Sequence, residues 1–186
     1  MILSSIIEAL RARCPSFCGR IGGAAEFARL AETSSMDTPC AYVIPADETV
    51  DAPLGHTGYR QIVHASFGVV IVVDNVDDER GQAGYDVAES LKAEVFKAIL
   101  CWAPASYVNE IFYSGSSLAD MDRSRVFYQL DFGYDYQLTT EDTYQPIERD
   151  NLGKFDTADI DVVGTDANPD GTKVAKAIFT NLYDRS

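Results

Sequence analysis

Two histidines and four cysteines are the residues of this 186-residue chain best suited to nucleophilic, acid–base or metal chemistry, and neither set is spaced for it. His56 lies in the glycine-flanked stretch Leu54-Gly-His-Thr-Gly58 and His64 in an alternating segment, without a serine, cysteine or ligand partner placed to complete a catalytic pair. Both imidazoles therefore read as structural or solvent-facing. Cys14, Cys18, Cys40 and Cys101 make no Cys-x-x-Cys pair and stand near no histidine cluster, so reduced, mostly buried thiols are expected rather than a zinc site. Gly19-Arg-Ile-Gly-Gly23 lacks the Gly-Lys-Ser/Thr ending that grips phosphate and the spacing of a dinucleotide fingerprint. Asp74-Asn-Val-Asp-Asp-Glu79 is rich in oxygen ligands but lacks the glycine and final glutamate of a calcium loop, and Asp166-Ala-Asn-Pro-Asp-Gly171 fails the same test. The first suits a helix-capping acidic turn, the second a solvated turn. No catalytic residue, metal or cofactor is expected.

Charge narrows the partners further. A formal net charge of -14 opposes phosphate gripping, because nucleic-acid binders concentrate Lys and Arg to displace counterions. The charge is uneven: residues 141–170 hold nine acidic groups against Arg149 and Lys154. That stretch is either a solvated tail or an arm for a basic partner. The start, Met-Ile-Leu-Ser-Ser-Ile-Ile, has no basic leader or small-residue cleavage site, so synthesis and use in a cytoplasm are expected. The apolar run Val69–Val73 is far short of the roughly 20 residues needed to cross a bilayer, and no membrane partner is expected.

The elements that must position these groups follow from periodicity. Ile2, Leu3, Ile6, Ile7 and Leu10 have helical spacing, closed by Pro15; Ala24–Ala31 suits a second, short helix after a glycine turn at 18–23. Cys40–Pro45 reads as a short strand, and residues 46–60 as a long excursion. Gln61–Asp74 is a long strand, apolar on both faces in its second half, which suits a central strand with helices on one side and a neighbouring subunit on the other. Val87, Leu91, Val95 and Ile99 mark the main core helix, which Pro104 ends. Tyr107–Tyr113 alternates, Ser114–Leu118 reads as a turn, and Arg125–Leu138 places Val126, Tyr128, Leu130, Phe132, Tyr134, Tyr136 and Leu138 on one face. Thr172–Tyr183 suits a terminal helix. The aromatic strand has no interleaved basic residues beyond Arg125, so core or interface packing explains it better than nucleic-acid stacking.

Phe67-Gly-Val-Val-Ile-Val-Val-Asp-Asn75, the turn Glu79-Arg-Gly-Gln-Ala83, the helix, Leu100-Cys-Trp-Ala-Pro104 and Arg125-Val-Phe-Tyr-Gln-Leu-Asp-Phe132 together resemble the tail terminator proteins of long-tailed bacteriophages, over about residues 1 to 140. The resemblance implies a virion structural protein of the tail and neck, assembled in the host cytoplasm. Its partners would be further copies in a hexameric ring, the tail tube protein and the head-tail connector. DNA would pass through the channel without specific binding. A head-tail connector or tail-completion subunit is the neighbouring alternative, and a small cytosolic ligand-binding or enzymatic domain the remoter one. The fold expected is α+β, with a mixed or antiparallel sheet of about four strands, helices mainly on one face, a domain over 1–143 and an acidic extension over 144–186. Arg60, Arg123 and Arg125 are the candidate inter-subunit contacts in so acidic a chain; Asp47, Glu48 and Asp51 in the long loop and Asp77 and Asp78 in the acidic turn are candidate lumen-facing acids.

Overall fold

The two strongly alternating segments become the central pair of a mixed five-stranded sheet of order β1-β2-β3-β5-β4. The computed structural model describes residues 2–29, 37–55, 58–74, 83–121, 125–152, 157–161 and 176–180. In chain order the elements are α1 (Ile2–Arg13), β1 (Ile21–Gly23), α2 (Ala24–Arg29), β2 (Cys40–Val50), β3 (Arg60–Asp74), α3 (Ala83–Ile99), β4 (Phe112–Met121), β5 (Arg125–Thr139), α4 (Gln145–Asn151), β6 (Thr157–Asp161) and β7 (Lys176–Thr180). The chain divides into two units, Met1–Thr143 and Tyr144–Ser186.

In the first unit β3 and β5 pair antiparallel in unbroken register from Arg60 opposite Thr139 to Asp74 opposite Arg125. A slip of one residue would turn the whole apolar set of β5 to the other face, so burial fixes this register. Val126, Tyr128, Leu130, Phe132 and Tyr134 are buried together with Val63, Ala65, Phe67, Val69, Ile71 and Val73, under Ile6 and Leu10 of α1 and Leu91, Val95 and Ile99 of α3. Phe67 stacks on Phe132 at 5.4 Å between centroids, and Phe96 meets Phe132 edge-on at 6.1 Å. The helices are tied by Arg13, which donates from Nη1 to the Ala98 carbonyl at 2.7 Å and lies over Trp102. β5 ends where Thr139 and Asp142 form a capping box that starts a 3-10 turn.

Several expectations change. The mixed sheet is as expected but gains a short edge strand, because Ile21–Gly23, read as part of a turn, pairs parallel with Ala41–Val43. β2 does not stop at Pro45: a bulge opposite Ser66, tied by the Ser66 hydroxyl to the Asp47 carbonyl at 2.6 Å, carries it on to Val50. Asp47 and Glu48 thus belong to a strand, and the excursion shrinks. Ser114–Leu118 is strand rather than turn, since β4 runs through it with two bulges and an edge position tolerates glycine. Val87 is 48 % exposed; four-residue steps advance about 400° on a helix, so the stripe drifts and Ala88 takes the buried place. In the second unit Lys176-Ala-Ile-Phe-Thr180 is a strand paired antiparallel with β6, not a helix, in keeping with its β-branched and aromatic residues. The second half of β3 is covered on its other face by the chain itself. Val70 and Val72 are buried with Cys40 and Tyr42, and Phe27 of α2, Ile44 and Phe127 pack against them.

Candidate assembly surface

The face of the sheet turned away from α1 and α3 is graded along its length. At one end lies the small apolar cluster beneath α2, where Phe27 and Tyr42 meet at 5.5 Å. At the other, side chains of β3 and β5 on the same face are polar. His64 stands opposite Asp135 in register, its Nδ1 2.8 Å from the Asp135 Oδ1, while its Nε2 lies 3.4 Å from the Asp51 Oδ1. A protonated imidazole donates to both carboxylates at once. The hydrogen bond to Asp135 raises the pKa of His64 above the ordinary 6.5, partial desolvation opposes this, and Asp51 adds to the rise. Between the two ends Gln129 donates to Asp131 at 2.7 Å, and beyond His64 Arg60 reaches the Gln137 side-chain oxygen at 3.3 Å.

The rim at that end mixes acids with exposed apolar groups. Val50, Leu54 and Tyr107 are exposed, and the Tyr136 hydroxyl donates to Glu48 at 3.2 Å. Burial and the nearby Glu48 carboxylate raise the pKa values of Tyr134 and Tyr136. Such a rim suits close packing against a protein rather than turnover of a small molecule.

The two edges of the sheet differ. At the β1 edge Arg11 donates from Nε to the Ile21 carbonyl at 2.7 Å, which occupies a group another strand would need. At the β4 edge Phe112, Tyr113 and Leu118 are exposed, and among the described residues β4 pairs only with β5. Free edges recruit other chains unless bulged or covered, and β4 carries two bulges.

Of the residues singled out from the sequence, the structure places Asp47 and Glu48 on β2, Asp51 just beyond it, Arg60 at the start of β3 and Arg125 at the start of β5 opposite Asp74. Asp77, Asp78 and Arg123 lie outside the described residues, as does His56. The Asp51-His64-Asp135 cluster was not anticipated. The usable signal is the opposite charge of Asp74 and Arg125, which closes the β3–β5 pair; counting back from it sets His64 against Asp135. None of the four cysteines is in a disulfide; Cys14 and Cys40 are buried and Cys18 and Cys101 exposed, so fewer are buried than expected. Burial pushes the Cys14 thiol up to about 11 and raises that of Cys40. No helix among the described residues is long and apolar enough to cross a membrane.

Comparison with known proteins bears on this surface. The family model described as phage tail terminator protein matches residues 1–143. No curated protein matches. Among solved structures, a chain from the virion of a native gene transfer agent particle is 14 % identical with a TM-score of 0.46, covering 73 % of this chain and 93 % of that one. A second solved structure is 20 % identical with a TM-score of 0.36, covering 73 % and 96 %. At such scores the two likenesses add nothing to the functional reading. The family match spans the whole first unit and most of the chain, so this protein belongs to the phage tail terminator family and is a structural component of a phage tail.

Proposed function

We propose that this protein closes the tail tube: six copies form a ring on the last ring of tube protein, stop its polymerisation and present their far surface to the head-tail connector. The family match over residues 1–143 carries the reading. Two physical features support it. The exposed side chains of Phe112, Tyr113 and Leu118 on β4 offer an apolar patch to a neighbour, and a closed ring satisfies such contacts without unlimited growth. A net charge of -14 suits the wall of a conduit through which DNA passes without sticking.

Within this reading Asp47, Glu48 and Asp51, together with Asp77 and Asp78, face the lumen, and Arg60, Arg123 and Arg125 lie at contacts between copies. The protein acts without catalysis, in the neck of the virion, after assembly in the host cytoplasm. Electron microscopy of tails assembled with and without the protein tests this. Tubes of uncontrolled length in its absence are expected, and uniform tails of normal length would refute it.

A further inference from the structure

Acidic chains repel their own copies, so self-association needs a place where opposite charges meet. The first unit offers one beside the β1 edge. A cavity of about 300 Å³ is lined there by Arg11, Arg20, Gly19 and Ile21, with Glu26 and Asp37 also on its wall. Arg11 uses its Nε on the Ile21 carbonyl, and Arg20 donates to the carbonyls of Pro39 at 3.0 Å and Thr38 at 3.4 Å. Among the described residues neither guanidinium has a carboxylate within 4.0 Å. Glu26 is folded onto Gly22, where a Cβ would meet its carboxylate oxygen at 2.0 Å. The remaining guanidinium N–H groups match the geometry of an incoming carboxylate, which they can hold with two parallel hydrogen bonds.

The second unit supplies the complementary chemistry. In α4 and its flanks, Tyr144, Ile147 and Leu152 are 63, 53 and 74 % exposed, beside the exposed carboxylate of Glu148, while Asp150 lies 3.5 Å from the Arg149 Nε. We propose that the α4 segment of one copy docks at the Arg11–Arg20 cavity of a second copy, with the Glu148 carboxylate meeting the guanidinium groups and the apolar side chains covered by the contact. The proposal rests on the ring reading, because it needs self-association. The contact is heterologous: the α4 patch of each copy meets the cavity of the next, the type of contact that closes a ring.

The test uses the full chain with Asn151→Cys, which leaves the Glu148 carboxylate in place. Native Cys18 is exposed and adjoins Gly19 of the cavity wall, whereas Cys14 and Cys40 are buried and slow to react. Treatment with a short bismaleimide, followed by mass-spectrometric mapping, should join the introduced thiol to Cys18 of another copy, giving covalent dimers and longer ladders. Salt that shortens the Debye length from about 10 Å to about 3 Å should cut the yield by about fivefold. Arg20→Glu in the same background should abolish the link, and adding Glu148→Arg should restore it.

Linkage within one chain, linkage to Cys101 instead, or no linkage overturns the docking. Light scattering separates the two layers of the reading. A ring without the Cys18 link refutes the arm contact alone, and a monomer at every concentration, on its own and with tail tubes, refutes the ring as well.

Discussion

The two faces of the β3–β5 pair share one backbone register yet have opposite characters. Beneath α1 and α3 the face is dry over most of its length, with Phe67, Leu130 and Phe132 fully buried, and turns polar only at its end, where Tyr136 donates to Glu48. On the other face the same strands pass from Val70 and Val72 in an apolar cluster to His64 between two carboxylates. Stability is thus concentrated on one side, and the other is free to vary in charge without loss of the fold. For an assembly protein this separation lets contact surfaces change while the subunit's shape is kept.

The largest expected effect comes from the dry face. Phe132→Ala removes a ring that stacks on Phe67 and packs edge-on against Phe96, and should cost about 3–5 kcal/mol in urea unfolding. Asp131→Ala, the adjacent residue on the other face, loses the hydrogen bond from Gln129 and should cost about 0.5–1.5 kcal/mol. Equal costs would break the contrast between the faces.

A smaller effect is expected at Gly133, where the aromatic edge strand reaches over β5. A Cβ there would meet the Phe112 ring at 2.5 Å. Phe112 is 48 % exposed and can swing outward, so Gly133→Ala should cost about 1–2 kcal/mol, below a true core clash. Gly133→Ala combined with Phe112→Ala should recover part of that loss, and a double variant no more stable than the single one would place the strain elsewhere.

The sequence made the dry face readable because strict alternation over β5 and helical spacing in α1 leave little choice of which side is buried. It exposed less of the other face. His64 and Asp135 are far apart in the chain, and only strand register joins them; nothing in either local pattern signals the contact. The bulge after Pro45 was hidden for a related reason, since a proline in a polar stretch suggests a strand end unless the partner strand is known to continue. Lys176–Thr180 shows the same dependence, because three apolar residues between Lys176 and Thr180 suit helix or strand until the pairing with β6 decides. Ile21–Gly23 was missed because two glycines outweigh one isoleucine in a local reading.

The finest test of the contrast is the titration of His64. Its raised folded value means that the protonated ring's contribution to stability is fully present below the ordinary 6.5, declines as pH rises through the folded value, and is absent above it. Asp135→Asn removes the leading cause of the rise and keeps the side chain's shape. The His64 midpoint, followed by NMR of the ring Cε1 proton, should move downward, with Asp51 still holding part of the shift. The stability gap between the native protein and this variant should be widest at mildly acid pH and close on the alkaline side. An unmoved midpoint would mean that solvent screens the pair completely. The polar end of that face would then be electrostatically passive, and only its shape and exposed apolar groups would remain to guide a neighbour.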